Sequence, residues 1–318
     1  MLDFRILGTF EVLEDDQPLT LGSPRQRALL AILVLRRGEV LSSDRLIDEL
    51  WGEQPPSSAI KIVQGCISQL RKILGEGVLI TRGGRYQLAV APDQLDAERF
   101  SRLADAGREA LAAGDPAMAV ELFASGLSLW RGDALADFAY ERFAQSEAAR
   151  MEEERLGALE DRIDAELALA RHHEITAELE DLCRHHPYRE RLLSQLMIAL
   201  YRDGRQADAL EAYRTGRQAF GAELGLEPGP RLRALERQIL DQDPTLDPPA
   251  RGPSDTETHP PASTARGRRA VGRGPRWVVT ASAAVGSGHG CGGPNSRAGM
   301  DRWCGHSRTR IPTTFSTL

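Results

Sequence analysis

The chain has 318 residues, of which 41% are hydrophobic, and a formal net charge of −6 at pH 7. Its four scattered cysteines suit a reducing compartment, and we expect no amino-terminal signal peptide. The sequence contains no Walker motif, no Gly-x-Ser-x-Gly elbow and no HExxH motif, so we expect no enzymatic activity, no cofactor and no small-molecule substrate.

Short alternating runs of apolar residues open the chain and predict a small antiparallel sheet. These runs are Leu2–Leu7, Phe10–Leu13 and Pro18–Leu21. A first helix is predicted from Ser23, where serine followed three residues later by Gln26 indicates a capping box, to a stop at Gly38. A second helix is predicted from about Ser43 to Leu50, and the turn-forming residues 51–56 end it.

A basic amphipathic helix follows, from about Ser57 to a break at Gly75. Apolar residues at spacings of three and four predict a stripe that faces the core, made of Ile60, Val63, Ile67, Leu70 and Leu74. One residue further around the helix lies a polar face of Lys61, Gln64, Ser68 and Arg71, flanked by Lys72. A glycine in mid-helix, Gly65, would let this helix approach a surface closely.

A predicted hairpin comes next, with Val78–Ile80 and Tyr86–Leu88 as its strands, Gly83–Gly84 as its turn, and Arg82 and Arg85 near its tip. Residues 57–90 carry a net charge of +4, whereas residues 1–92 are neutral and residues 93–250 carry −13. An ordinary solvated helix followed by a hairpin would fit the periodicity equally well. The local positive charge favours a winged helix-turn-helix that lays its third helix in the major groove of DNA.

Specific strings in this region resemble the OmpR-type DNA-binding domain. They are Trp51-Gly52, the segment 67–74 and the wing segment 81–86. The resemblance implies that Arg82 enters the minor groove, and that Lys61, Gln64, Gly65, Ser68 and Gln69 face bases and phosphates. Arg71, Lys72 and Arg85 would join Arg82 in neutralising phosphates. Response regulators usually place charged residues where this chain has Gly65, Cys66 and Ser68, so base reading should differ here. Control by aspartyl phosphorylation of this chain is not expected.

From Asp96 to about Leu240 the residues favour helix, with breaks at 114–115, 131–133, 186–187, 203–204 and 228–230. Segment 114–123 is repeated at 204–213, with matching glycine, alanine, glutamate and aromatic positions. The spacing from Ala119 to Phe123 and from Ala209 to Tyr213 is typical of the second helix of a tetratricopeptide hairpin. An undistinguished helical bundle is the alternative.

Three longer strings, 154–167, 186–207 and 223–230, extend the likeness. With the winged region they resemble the Streptomyces antibiotic regulatory protein family, which combines an OmpR-type domain with a bacterial transcriptional activation domain. The resemblance implies a cytoplasmic protein that activates a biosynthetic gene cluster. It would bind direct repeats near promoters in double-stranded DNA and self-associate there. It would also contact the sigma or alpha subunits of RNA polymerase. A protein-interaction scaffold whose winged domain binds protein is the alternative.

The predicted fold is mostly α: a winged helix-turn-helix domain over 1–92, an all-α tetratricopeptide-like domain over 93–242, and a disordered tail over 243–318 with a net charge of +7 in residues 251–318. The apolar run Trp277–Val285 is too short for a bilayer, which needs about 20 residues. It could still be the start of a membrane tether lost by truncation, or part of a cationic tail that adds DNA affinity.

Histidines and cysteines cluster at His172-His173 and around Cys183, His185 and His186, but their spacing fits no zinc pattern. We therefore expect no metal site and predict that these histidines lie on the surface at helix ends. Cys66, on the basic helix, is interpreted as a small hydrophobic residue and not as a redox switch.

Overall fold

The computed structural model describes residues 1–248. The chain opens with three antiparallel strands in the order β1–β2–β3, which are β1 (Leu2–Arg5), β2 (Glu11–Glu14) and β3 (Gln17–Pro18). The predicted sheet is confirmed, but the first strand ends earlier than expected. Beyond it, the backbone N–H groups of Ile6 and Leu7 donate to the carboxylate of Asp96 and not to a neighbouring strand.

Three helices and a second sheet follow: α1 (Pro24–Leu35), β4 (Leu41–Ser42), α2 (Ser43–Trp51), α3 (Ala59–Leu74), β5 (Leu79–Arg82) and β6 (Arg85–Leu88). The second sheet has the antiparallel order β4–β6–β5, in which Leu41 pairs with Tyr86. This is the predicted winged helix-turn-helix. Strand β4 was not predicted, because two residues are too few to display an alternating pattern.

The predicted capping box at the start of α1 is only half formed. Ser23 Oγ accepts a hydrogen bond from the backbone N–H of Gln26 at 3.3 Å. The side chain of Gln26 is buried, however, and its Oε1 accepts no hydrogen bond from the backbone N–H of Ser23. The serine therefore caps α1 without the reciprocal bond, in which its own N–H would donate to the glutamine.

The remainder is mostly helical, with α4 (Asp96–Ala112), α5 (Pro116–Leu127), α6 (Arg142–Ala168), α7 (His172–His185), α8 (Glu190–Arg202), α9 (Gln206–Ala219) and α10 (Pro230–Leu240). The five predicted breaks are confirmed. A further break separates α6 from α7, where Ala170 adopts a φ of 57°. Alanine carries no turn signal, so nothing in the sequence marked this break.

The repeated segments form matching helix pairs. Gly114 and Gly204 both have positive φ and end α4 and α8, so α5 and α9 fold back on them. Ala119 and Phe123 of α5 are buried, as are Ala209 and Tyr213 of α9. Each second helix therefore packs on its partner through the small and aromatic positions that the sequence repeats.

Two hydrophobic cores organise the described residues. The first runs from Leu2 in β1 to Ala165 in α6, and so joins the winged region to α4, α5 and α6. The second runs from Leu156 in α6 to Leu246. The long helix α6 contributes to both cores and so links the winged region to the last helices of the described chain.

A buried carboxylate lies where the winged region meets α4. Asp96 is 1% exposed and accepts hydrogen bonds from the backbone N–H groups of Ile6, Leu7 and Ala97 at 2.8–3.0 Å. Burial raises its pKa, against the lowering effect of these N–H donors and of the nearby Arg131. The loop after α5 adds three backbone bonds to the same segment, including one from Leu135 N to Ile6 O at 2.9 Å. Asp96 thus fixes the first strand to the helical region.

The start of the predicted disordered tail is ordered. Pro244–Leu246 forms a 3₁₀ turn, Asp243 caps it, and Leu246 is buried in the second core. Arg202 Nε also donates to Leu246 O at 2.8 Å. The expectation of disorder is therefore wrong for residues 244–246, because one apolar side chain docks there. The Trp277–Val285 run and the rest of the tail lie outside the described residues. Within residues 1–248, no helix is both long and apolar enough to cross a bilayer.

Candidate nucleic-acid interface

Helix α3 presents one buried and one exposed side. Its buried residues are Ala59, Val63, Ile67, Leu70 and Leu74. The prediction that Ile60 joins this stripe is wrong, since Ile60 is 51% exposed and Ala59 takes the core position. The spacing from Ala59 to Val63 is also four residues, so the sequence held this signal, but the larger isoleucine masked it.

The predicted contact residues of α3 lie on its exposed side: Lys61, Gln64, Gly65, Ser68, Gln69, Arg71 and Lys72. A methyl group added at Gly65 would meet no other residue within 4 Å, and Gly65 has no positive φ. Neither packing within the chain nor backbone conformation therefore requires a glycine at this position. Its absent side chain leaves a bare patch of backbone in the middle of the exposed side.

The wing is a two-residue hairpin. Gly83 and Gly84 have φ values of 57° and 77°, a conformation that glycine adopts without strain. Arg82 and Arg85 pair across the turn and are both exposed. The strands thus extend further than predicted, and both arginines project from the tip of a regular ladder.

Contacts between elements hold the wing against α3 and α2. Arg71 Nε donates to Leu79 O at 3.2 Å, and the Arg71 guanidinium also donates to Thr81 Oγ1, both on β5. Ser43 Oγ lies 3.5 Å from Gly84 O at the turn. No sequence pattern identifies Thr81 as a partner of Arg71. Arg71 therefore links α3 to the wing in addition to carrying positive charge.

The basic residues of this surface have no acidic partners. Among residues 1–248, no ion pair involves Lys61, Arg71, Lys72, Arg82 or Arg85, whereas many arginines of the helical region are paired, as Arg108 is with Asp161 at 2.8 Å. The first turn of α3 contains no acidic residue, and the Ser58 side chain does not cap it. Positive charge is therefore left uncompensated on one side of α3 and on the wing, as phosphate binding requires.

Within residues 1–248, the histidines and cysteines do not assemble into a metal-binding cluster. Within the described range, no group of three or more His, Cys, Asp or Glu residues could hold a metal ion. His173 is exposed, but the His172 side chain is mostly buried and lies 3.5 Å from Asp203, so the prediction of a surface position is wrong for His172. Cys66 is half-buried, and burial raises the pKa of its thiol, which favours the interpretation as a small hydrophobic residue.

Two family models match the chain. One, described as the transcriptional regulatory protein C-terminal domain, matches residues 16–87. The other, described as the bacterial transcriptional activator domain, matches residues 95–240. The candidate interface on α3 and the wing lies within the first match.

Several curated proteins are similar to the chain. The regulatory protein AfsR of Streptomyces coelicolor is 44% identical over 77% of this chain, which spans about a quarter of the length of that relative. The transcriptional regulator RedD of the same organism is 39% identical, over 78% of this chain and 73% of RedD. The regulatory protein DnrI of Streptomyces peucetius is 39% identical, over 77% of this chain and 94% of DnrI.

One solved structure is also similar. It is Mycobacterium tuberculosis EmbR in complex with a low-affinity phosphopeptide, which is 39% identical to the chain with a TM-score of 0.74. The similarity covers 76% of this chain and 66% of the EmbR chain. The same order of an α+β winged region and a helical region therefore occurs in an experimental structure.

Proposed function

The chain belongs to the Streptomyces antibiotic regulatory protein family of DNA-binding transcriptional regulators, and on that premise we propose that it activates a biosynthetic gene cluster by binding direct repeats near a promoter. Its relatives are regulators, and it is not an enzyme. The proposal places the protein in the cytoplasm, where its DNA would lie. Residues 1–92 would read DNA and residues 93–242 would contact other proteins.

The observation that carries this proposal is the unpaired positive charge on the exposed side of α3 and on the wing. In our proposal, Lys61, Gln64, Ser68 and Gln69 approach base edges, and Gly65 lets the helix backbone come close to the groove. Lys72, Arg82 and Arg85 neutralise phosphates, with Arg82 in the minor groove. Arg71 takes a phosphate while it holds β5 to the reader helix.

Salt dependence tests this interface directly. With about four to six phosphate contacts, log K should fall with log salt with a slope near −4 to −5. The full chain would be titrated into a fluorescent duplex, at several salt concentrations, by anisotropy. A slope close to zero would contradict the assignment of the basic residues to phosphates.

Direct repeats require two copies of the chain in tandem, about 10 base pairs apart on the same face of the duplex. Footprinting on a duplex with two copies of the binding site tests this arrangement. Moving one repeat by about half a helical turn should remove any cooperativity between the two subunits, whereas a full turn should preserve it. Equal cooperativity at both spacings would contradict contact between subunits.

The helical region is the proposed contact for RNA polymerase, because its charge of −13 over residues 93–250 is repelled by DNA. Deleting it is a poor test, since the first hydrophobic core spans both regions. Transcription with purified polymerase on a promoter that carries the binding site is better. The full chain should increase open-complex formation, and DNA binding with no change in transcription would contradict activation.

A further inference from the structure

Ile60 is a large apolar side chain exposed on a helix surface that is otherwise polar. The other large apolar residues of α3 that were predicted to face the core do so, whereas Ile60 is 51% exposed in the first turn. A single exposed apolar residue is common on protein surfaces and by itself signifies little. The position of Ile60 is what distinguishes it, since the amino-terminal residues of a recognition helix are those that contact base edges.

The neighbours of Ile60 place it on the DNA-reading side. Lys61 follows it in the chain, and Gln64 lies one helical turn further along, next to it on the helix surface. Four residues of helix rise about 6 Å, whereas stacked base pairs are about 3.4 Å apart. The side chains of Ile60 and Gln64 can therefore reach two base pairs that are either adjacent or separated by one intervening base pair.

Chemistry then selects the group that Ile60 can read. It can neither donate nor accept a hydrogen bond, and the apolar group that a base pair presents in the major groove is the C5 methyl group of thymine. We propose that Ile60 is a specificity-determining residue that contacts a thymine methyl group within about two base pairs of the base read by Gln64. This inference rests on the proposed DNA-binding function and specifies part of the sequence that is read.

Replacing thymine with deoxyuridine removes only the methyl group, so it tests the contact directly. The full chain is first used to select duplexes from a random library. Each thymine of the selected site is then replaced singly by deoxyuridine, and affinity is measured by anisotropy for the natural chain, Ile60→Ala and Val40→Ala. Val40 is a matched control, because it is 49% exposed and lies outside α3. Circular dichroism checks that each variant is folded.

The natural chain and Val40→Ala should each bind one deoxyuridine duplex about fourfold more weakly than the thymine duplex, the effect of losing one buried methyl group. Ile60→Ala should bind the two duplexes equally. A selected site at which deoxyuridine affects the natural chain and Ile60→Ala to the same extent would overturn the Ile60 assignment alone. Failure of the natural chain to enrich any sequence would overturn the proposed sequence-specific function, and the Ile60 assignment with it.

Discussion

Replacing Gly65 with alanine should change stability and DNA affinity in opposite directions. Gly65 is an exposed residue within α3, and a methyl group added there meets no other residue within 4 Å. Alanine should therefore stabilise the free protein by about 0.8–1 kcal/mol, the difference in helix propensity. If the described residues 1–248 unfold as one cooperative unit, this stabilisation corresponds to a rise in Tm of about 2–4 °C.

On DNA the same methyl group should be unfavourable, because it occupies the space into which the groove would fit. A cost of about 1–3 kcal/mol for overpacking a close contact corresponds to a loss of affinity of about fivefold to 150-fold. Thermal unfolding measures the first effect, and anisotropy with the selected duplex at fixed salt measures the second. Gly157→Ala is the matched control, because Gly157 lies within α6 and also has no neighbour within 4 Å of an added Cβ.

Gly157→Ala should raise Tm by a similar amount and leave affinity unchanged. If Gly65→Ala stabilises the protein and binds DNA as well as the natural chain does, then Gly65 does not lie close to DNA. If it lowers both Tm and affinity, the reading of Gly65 as free of internal contacts is wrong.

Four further predictions concern individual side chains. Asp96→Ala should lower the free energy of unfolding in urea by about 3–5 kcal/mol, because it leaves buried N–H groups unpaired. As a control, replacing the exposed Asp105 with alanine should cost less than about 1 kcal/mol. A similar small cost for both variants would refute the structural role of Asp96. Arg82→Ala should make the slope of log K against log salt shallower by about one. Arg71→Ala should do the same and should also accelerate amide hydrogen exchange in β5. Unchanged exchange would contradict the role of Arg71 in holding β5 to α3. Burial raises the pKa of the Cys183 thiol to about 12. Alkylation of Cys183 at pH 8, followed by peptide mass spectrometry, should therefore be about a thousandfold slower in the folded protein than in an unfolded control. Equal rates would contradict the burial of this thiol.

The sequence was sufficient to predict the winged region and the helix pairs because local signals there agree with the fold. The two glycines of the wing, the three- and four-residue spacing in α3 and the repeated alanine and aromatic positions each specify one conformation with little help from distant residues. The wrong prediction for Ile60 also came from a local signal. Hydrophobicity favoured the isoleucine for the core, but the helix buries the smaller Ala59 and leaves Ile60 exposed.

Other features depend on contacts between distant residues, and no local pattern reveals them. Asp96 looks like an ordinary acidic residue at the start of a helix, yet it is buried. Its carboxylate accepts from the backbone N–H groups of Ile6 and Leu7, which lie 90 and 89 residues away in sequence. The same holds for Ala170, which has a positive φ between α6 and α7, and for Leu246, which docks on the second core.

These long-range contacts have a functional consequence for the proposed activator. Asp96 and the first hydrophobic core join β1 to the helical region without a flexible linker, and α6 continues from that core into the second one. Motion of the winged region independently of the helical region would break buried hydrogen bonds and expose core side chains such as Phe4 and Phe10. In the proposed activator, binding of α3 and the wing to DNA would therefore also fix the position of the acidic helices relative to the duplex. We therefore propose that the position of the binding site relative to the promoter sets which surface of the polymerase those helices can reach.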